Sequence, residues 1–98
     1  MMAYKLIYHP DILKYDLPRI PKDIKETIRR AIEERLLNEP IVFGQPLRQS
    51  LKGHRKLRVG DYRVIYRIHG EEIIILKIGH RREVYSKVLS RIDWDGNN

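Results

Sequence analysis

Short blocks of apolar and polar residues follow one another along the chain, and each block predicts an element. Tyr4 to Tyr8 reads as a short strand that His9-Pro10 stops, and Pro10 suits the first turn of a short helix running to about Asp16. Pro18 and Pro21 bracket a turn, and Pro21 can open a second helix. Within it Ile24, Ile28, Ala31, Ile32 and Leu36 recur at helical spacing and make one apolar stripe. The other faces carry Lys25, Glu26, Arg29, Arg30, Glu33 and Glu34, the mixed pattern of a solvated surface, with Glu26 placed to pair with Arg30. Asn38-Glu39-Pro40 ends this helix, and Ile41 to Gly53 reads as a loop broken by Gly44, Pro46 and Gly53.

Three strand-like segments follow. Arg55 to Val59 and Tyr62 to Ile68 flank Gly60-Asp61, a two-residue hairpin signal. Ile73 to Ile78 comes after a turn around His69-Gly70-Glu71, and its lack of alternation predicts a central strand covered on both faces. Beyond Gly79, the spacing of Val84, Tyr85, Val88, Leu89 and Ile92 predicts a short C-terminal helix. The order is therefore an N-terminal strand, two helices, a three-stranded antiparallel meander and a last helix. That is an α+β fold with the helices packed on the sheet. With 98 residues, the chain suffices for one core, so residues 1–98 are expected to form a single domain with 93–98 as a loose tail.

Pairing geometry gives the hairpin two unlike faces. If Gly60 and Asp61 are the turn, Val59 opposes Tyr62, Arg58 opposes Arg63, Leu57 opposes Val64, Lys56 opposes Ile65, Arg55 opposes Tyr66 and His54 opposes Arg67. One face then holds Leu57, Val59, Tyr62, Val64 and Tyr66, plus Arg55. The other holds His54, Lys56, Arg58, Arg63 and Arg67 around Ile65. Like charges directly opposed destabilise a hairpin, by a fraction of a kcal/mol per pair or so, and a bound anion relieves that repulsion.

Composition bears on what the anion is. The net charge is +7, and between Arg48 and Arg67 seven Lys/Arg stand against one acid, Asp61. Such an excess attracts polyanions, nucleic acid foremost, although an acidic protein partner or a membrane surface also fits the charge alone. There is no cysteine, so disulfides and thiolate metal sites are excluded and a reducing cytoplasm is the natural compartment. The longest apolar run, Ile73 to Leu76, is four residues and too short to cross a membrane. Met1 to Pro10 lacks the apolar stretch of a signal peptide. Phosphate-loop and HExxH motifs are missing, and the acids lack metal-ligand spacing, so no metal or other cofactor is expected. His9 and His69 sit at element ends as surface or capping residues. His54 lies on the basic face, where it is either a base favoured by neighbouring cations or an incidental residue at a strand start. Cations with an acid–base group and no metal suit RNA cleavage by the RNA's own 2′-hydroxyl, whose transition state carries extra negative charge.

The stretches LKGHRKLRVGDYRVIYRI (Leu51 to Ile68) and ILKIGHRREVY (Ile75 to Tyr85) resemble the RelE/ParE superfamily of bacterial and archaeal toxins, the second stretch its RelE branch in particular. The resemblance implies a toxin that cleaves mRNA in the ribosomal A site. It also implies a cognate antitoxin that wraps the toxin, and operator DNA bound only through the toxin–antitoxin complex. Carried over by position, it implies phosphate-binding and transition-state cations at Lys56 and Arg63 with Arg58 nearby, and a leaving-group residue at Arg81, for which charge stabilisation is the safer role. It implies a stacking or orienting aromatic at Tyr85, and His54 where the family has a lysine proposed as general base. Lys52, Arg55, Arg58, Arg67, His80 and Arg82 are expected to contact RNA. From the residues alone, Tyr85 also fits packing beside Leu89, and Arg81 and Arg82 fit a solvated strand end. The alternative within the same superfamily is a ParE-like inhibitor of DNA gyrase without nuclease activity, which shares the GDYR hairpin.

Overall fold

The computed structural model describes residues 4–97; Met1 to Ala3 and Asn98 lie outside the described residues, and with them the ends of the expected domain and tail. Strand β1, Lys5–Tyr8, ends at His9, whose ring Nδ1 accepts the Asp11 N–H at 3.0 Å and so caps the turns that follow. A wide π-helical turn, Ile12–Asp16, and a 3₁₀ turn, Leu17–Arg19, lead into helix α1, Lys22–Ala31. Its apolar stripe continues through a second π-helical turn, Ile32–Leu36, so Ile28, Ala31, Ile32 and Leu36 are all buried. On the solvated face Glu26 does pair with Arg30, at 3.9 Å, and Arg29 binds it more closely while also taking Glu33 at 2.8 Å.

The stretch expected as a plain loop is more ordered. Pro40 opens a short helix α2, Pro40–Phe43, where its missing N–H is harmless. Then come a two-residue edge strand β2, Gln45–Pro46, and a 3₁₀ turn, Gln49–Leu51. Strands β3 (Arg55–Val59), β4 (Tyr62–His69) and β5 (Glu72–His80) form the meander. The sheet order is β1-β5-β4-β3-β2, with β1 parallel to β5 and every other pair antiparallel. The hairpin register of β3 and β4 is the expected one from Val59↔Tyr62 to Arg55↔Tyr66. Gly60 supplies the turn with φ +60° at its first central position.

The two faces of the sheet carry two cores. Leu57, Val59, Val64, Tyr66, Ile73, Ile75 and Ile78 pack with the α1 stripe. On the opposite face Ile65 is buried under Val84 and Val88, with Leu47 and Leu51 beside them. β5 is thus an interior strand covered on both sides, as its unbroken apolar run predicts. A bulge at Leu76 lets Ile65 pair with Lys77 while Tyr66 pairs with Ile75. Tyr66 is fully buried, and its hydroxyl donates to the Pro40 carbonyl at 2.6 Å across the α-carbon of Gly44.

Beyond β5 the expected C-terminal helix is reduced to one 3₁₀ turn, Val88–Arg91. The hydroxyls of Ser86 and Ser90 donate to the Glu83 and Lys87 carbonyls, each at 2.8 Å, competing for acceptors that a helix would use. The segment is held instead by a buried ion pair. Where β1 ends, the free edge of β5 presents the Ile78 N–H, and Asp16 Oδ2 accepts it at 2.9 Å. Both terminal nitrogens of Arg91 donate to the same carboxylate, at 2.8 and 2.9 Å, and Nη1 also reaches the Leu76 carbonyl at 3.0 Å. The tail also makes contacts. Trp94 packs on His9 with ring centroids 5.0 Å apart, and Gly96 lies over Ile7 and Ile74.

Candidate nucleic-acid interface

Cross-strand rows place the basic residues. On the face away from α1, Gln45, Lys56, Ile65 and Lys77 form one row, and Arg58, Arg63 and Gly79 the next. Val84 closes over Gly79, within 3.6 Å of where a Cβ there would stand, and joins the Ile65 core. The result is a small apolar island flanked at the hairpin end by Lys56, Arg58 and Arg63. The turn after β5 brings Arg81, Arg82 and Tyr85 next to that island, all exposed. Lys52 is exposed on the loop before β3.

The hairpin turn gathers the two arginines of central interest. Arg63 Nη1 donates to the Gly60 and Tyr62 carbonyls at 3.0 and 2.9 Å, leaving Nε and Nη2 without a protein partner among the described residues. The Arg81 backbone N–H donates to the Asp61 carbonyl at 2.8 Å, and its Nε lies 3.6 Å from the Asp61 carboxylate. Asp61, the one acid of the basic stretch, therefore orients Arg81 beside Arg63. Both partners of that ion pair are more than half exposed, so it sets orientation more than stability.

Four residues expected at the site are not free on this surface. Arg55 lies on the α1 side of the sheet, where Nη2 donates to the Ile41 and Gly44 carbonyls at 2.7 Å each and ties β3 to α2. Arg67 is on the basic face, but its guanidinium donates to the Ile92 carbonyl at 3.2 Å and to that of Trp94, so it clamps the tail. His80 pairs with Tyr62 toward the α1 side, their rings edge to face at 5.5 Å, and its Nδ1 accepts the Arg82 N–H at 3.2 Å. His54 is placed before β3 as expected, yet both of its ring nitrogens are buried without any hydrogen-bond partner. In this conformation it has no path to a 2′-hydroxyl.

Two residues that carry the architecture of the site, Asp16 and Arg91, gave no signal in the sequence. They stand 75 positions apart, and their bond fixes the far end of the segment bearing Arg81 and Tyr85. An acid in a proline-flanked turn and an arginine near a chain end both read as ordinary surface residues. Among the described residues no helix is long and apolar enough to cross a membrane, and no three side chains of metal-ligating type come together.

Comparison with known proteins agrees with the fold. A family model described as the ParE toxin of the type II toxin–antitoxin system parDE matches residues 6–85. Toxin RelG of Mycobacterium tuberculosis is 35% identical over 74 residues, covering 74% of this chain and 85% of that protein. Toxin RelE of the same organism is 43% identical over 63 residues, 60% of this chain and 65% of the other. Among solved structures, the toxin–antitoxin complex RelBE2 of M. tuberculosis contains a chain that superposes with a TM-score of 0.75 at 30% identity, covering 82% of this chain and all of that one. A mutant of E. coli toxin RelE in the free state shares the fold, with a TM-score of 0.70 at 21% identity over 93% of this chain and 95% of that one. This chain belongs to the ParE toxin family of type II toxin–antitoxin systems, within the RelE/ParE superfamily.

Proposed function

We propose that the protein is an endoribonuclease of the RelE kind that cuts mRNA in the A site of a translating ribosome and is neutralised by a cognate antitoxin. The observation that carries the reading is the convergence of Lys56, Arg58, Arg63 and Arg81 on one rim of an apolar island, with Tyr85 exposed beside them. In the proposed reaction the 2′-oxygen attacks the adjacent phosphorus and the bond to the 5′-oxygen breaks. The products are a 2′,3′-cyclic phosphate and a free 5′-hydroxyl; one proton leaves the 2′-hydroxyl and one is taken up by the leaving oxygen. Lys56, Arg63 and Arg81 stabilise the charge that builds on the phosphoryl oxygens, an effect of about 3 kcal/mol for a well-placed donor. Tyr85 holds the flanking base so that attack is in line. Arg58, Lys52 and Arg82 extend the phosphate contacts. The roles first expected of Arg55, Arg67 and His80 pass to the fold. His54 acts as base only in a conformation that uncovers its ring.

The two toxin relatives bearing Rel names support this reading, as does the RelBE2 complex for the antitoxin. A cytoplasmic site of action follows from the proposed target, as does operator binding through the antitoxin complex alone. The ParE family model favours a second reading, a gyrase poison without nuclease activity. The test is primer extension on a defined mRNA with and without programmed ribosomes, together with gyrase supercoiling. New 5′ ends inside the A-site codon, needing ribosomes and lost in folded Arg63→Ala and Arg81→Ala variants, are expected. Inhibited supercoiling with intact mRNA would establish the second reading instead. His54→Phe tests the base: cleavage unchanged by that variant removes His54 from the chemistry.

A further inference from the structure

On the other side of the Arg81–Tyr85 turn lies a cleft of about 610 Å³, between the Asp11–Ile20 turns and the Ser86–Arg91 segment. That volume falls within the range of small-molecule sites, about 300–1,000 Å³. Its floor carries Lys77, whose side chain is 12% exposed. The ammonium is 3.8 Å from Asp16 Oδ1, too far for a hydrogen bond. Oδ2 of that carboxylate accepts from Arg91 and the Ile78 N–H, and Oδ1 accepts from Arg91. Lys77 thus keeps one long ion pair with Asp16 and makes no side-chain hydrogen bond among the described residues. Burial, ahead of any charge, pulls its pKa below the ordinary lysine value; Asp16 opposes that, and Arg91, Arg19 and Lys87 add to it. A largely buried ammonium held by a single long ion pair gains from a second anionic partner, and the cleft leaves room for one.

The remaining charges define the anion. Lys87 lines the cleft with no ion-pair partner among the described residues, and Arg19 stands at 3.9 Å from Glu83 in an exposed pair of little strength. Asp11 lies 4.0 Å from Arg91 Nε and Asp16 is bound at both oxygens by Arg91, so these two wall acids are matched chiefly to Arg91. Ser86 and Ser90 add hydroxyls, while Tyr15, Tyr62 and His80 supply flat apolar surface within the same enclosure. Cations at the floor and aromatic rings on the wall fit a phosphate joined to a planar base.

We propose that this cleft binds a small phosphate-bearing ligand of nucleoside monophosphate size, the phosphate held by Lys77 with Lys87 and Arg19 at the mouth and the base against Tyr62 and His80. Lys77 belongs to the Lys56–Ile65 row of the sheet, but the cleft lies at the β5 edge and its lining includes none of Lys56, Arg58, Arg63 and Arg81, so the proposal does not depend on the nuclease reading. The cleft shares one wall with the basic face: His80, Glu83, Ser86 and Lys87 line the cleft, whereas Arg81, Arg82 and Tyr85 of the same turn do not. A ligand here would contact the segment that carries the candidate catalytic residues.

The experiment is titration of the full chain, labelled with ¹⁵N, by inorganic phosphate, AMP and a short single-stranded oligoribonucleotide in turn. AMP is expected to shift the amides of Lys77 to His80 and of Ser86 and Lys87, and to bind at least about tenfold tighter than phosphate alone. Lys77→Met should weaken AMP by about tenfold or more, and because it removes a buried charge it should not unfold the protein. Lys87→Ser, at an exposed position, should weaken AMP by roughly threefold and serves as the second check. Absence of any shift at about 10 mM AMP, or affinity unaltered in both variants, would overturn the proposal. So would shifts confined to Lys56, Arg58 and Arg63, or a response at Lys77 to the oligoribonucleotide alone, which would make the cleft part of an RNA track.

Discussion

Replacing Arg91 by leucine tests whether the buried ion pair organises the C-terminal third of the molecule. Asp16 and Arg91 are each 6% exposed. In the variant the Asp16 carboxylate keeps the Ile78 N–H but loses two charge-assisted bonds of 2.8 and 2.9 Å, and the nearest remaining cation is Lys77 at 3.8 Å. Leaving one charge of a buried pair uncompensated costs about 3–5 kcal/mol, and the lost bond to the Leu76 carbonyl adds about 1 kcal/mol. A shift of Lys77 toward Asp16 would recover part of this, so the expected loss is about 3 kcal/mol. For a chain of this size that lowers the melting temperature by roughly 12 °C or more. Urea unfolding followed by the fluorescence of Trp94, the only tryptophan, measures it directly. Adding Asp16→Asn removes the stranded charge while keeping an acceptor for Ile78, so the double variant should be more stable than Arg91→Leu alone by about 1 kcal/mol or more. A loss below about 1 kcal/mol for Arg91→Leu, or two substitutions that simply add, would refute the account of this pair as a buried, mutually dependent clip.

Two further outcomes follow from single close approaches. A methyl group at Gly44 would stand 1.6 Å from the Tyr66 hydroxyl, so Gly44→Ala should destabilise by about 3 kcal/mol, read from the urea midpoint; a loss under about 1 kcal/mol would mean that Tyr66 moves freely aside. His9 has its pKa lowered, first by burial and then by Arg91, so from the ordinary value of about 6.5 down to the folded value the unfolded chain binds more protons. Stability should therefore fall as pH drops through that window, because a proton on Nδ1 also removes the bond from the Asp11 N–H. Urea midpoints at about pH 7.5 and 5 in wild type and His9→Gln check this, the variant being expected to lose part of the pH dependence; an equal slope in both would place the effect elsewhere.

The sheet was readable because its signals are local. Gly60-Asp61 between two β-rich runs fixes the register of five pairs in the hairpin, and the unbroken Ile73–Leu76 run marks a strand covered twice. What failed was equally specific. Val84, Val88 and Ile92 do have helical spacing, but the segment satisfies that spacing with turns, since Val84 and Val88 must drop onto Ile65 while Arg91 must reach Asp16. Periodicity records which residues face inward and is silent on how the backbone brings them there. The bulge at Leu76 shows the same limit: it decides which residues of β5 oppose β4, and no residue type at that position announces it.

The cations illustrate why a candidate site is harder to read than a fold. Arg55, Arg58, Arg63 and Arg67 are the same residue within one hairpin, and register assigns each a face. Yet face alone does not separate Arg63 from Arg67, which share it. Their difference lies in what crosses above them: the tail brings the Ile92 and Trp94 carbonyls onto Arg67, whereas over Arg63 the chain presents only the turn carbonyls of its own hairpin. A guanidinium under backbone carbonyls is a structural clamp, and one with free N–H groups beside a second, carboxylate-oriented arginine is available to a phosphate. Sequence spacing places both near a strand, but only the path of residues some 25 positions further on tells them apart. The basic character of this hairpin therefore divides into two purposes. Arg55 and Arg67 hold down the segments that flank the sheet, whereas Arg63, with Arg81 beside it, keeps N–H groups free of backbone carbonyls for the proposed phosphate contacts.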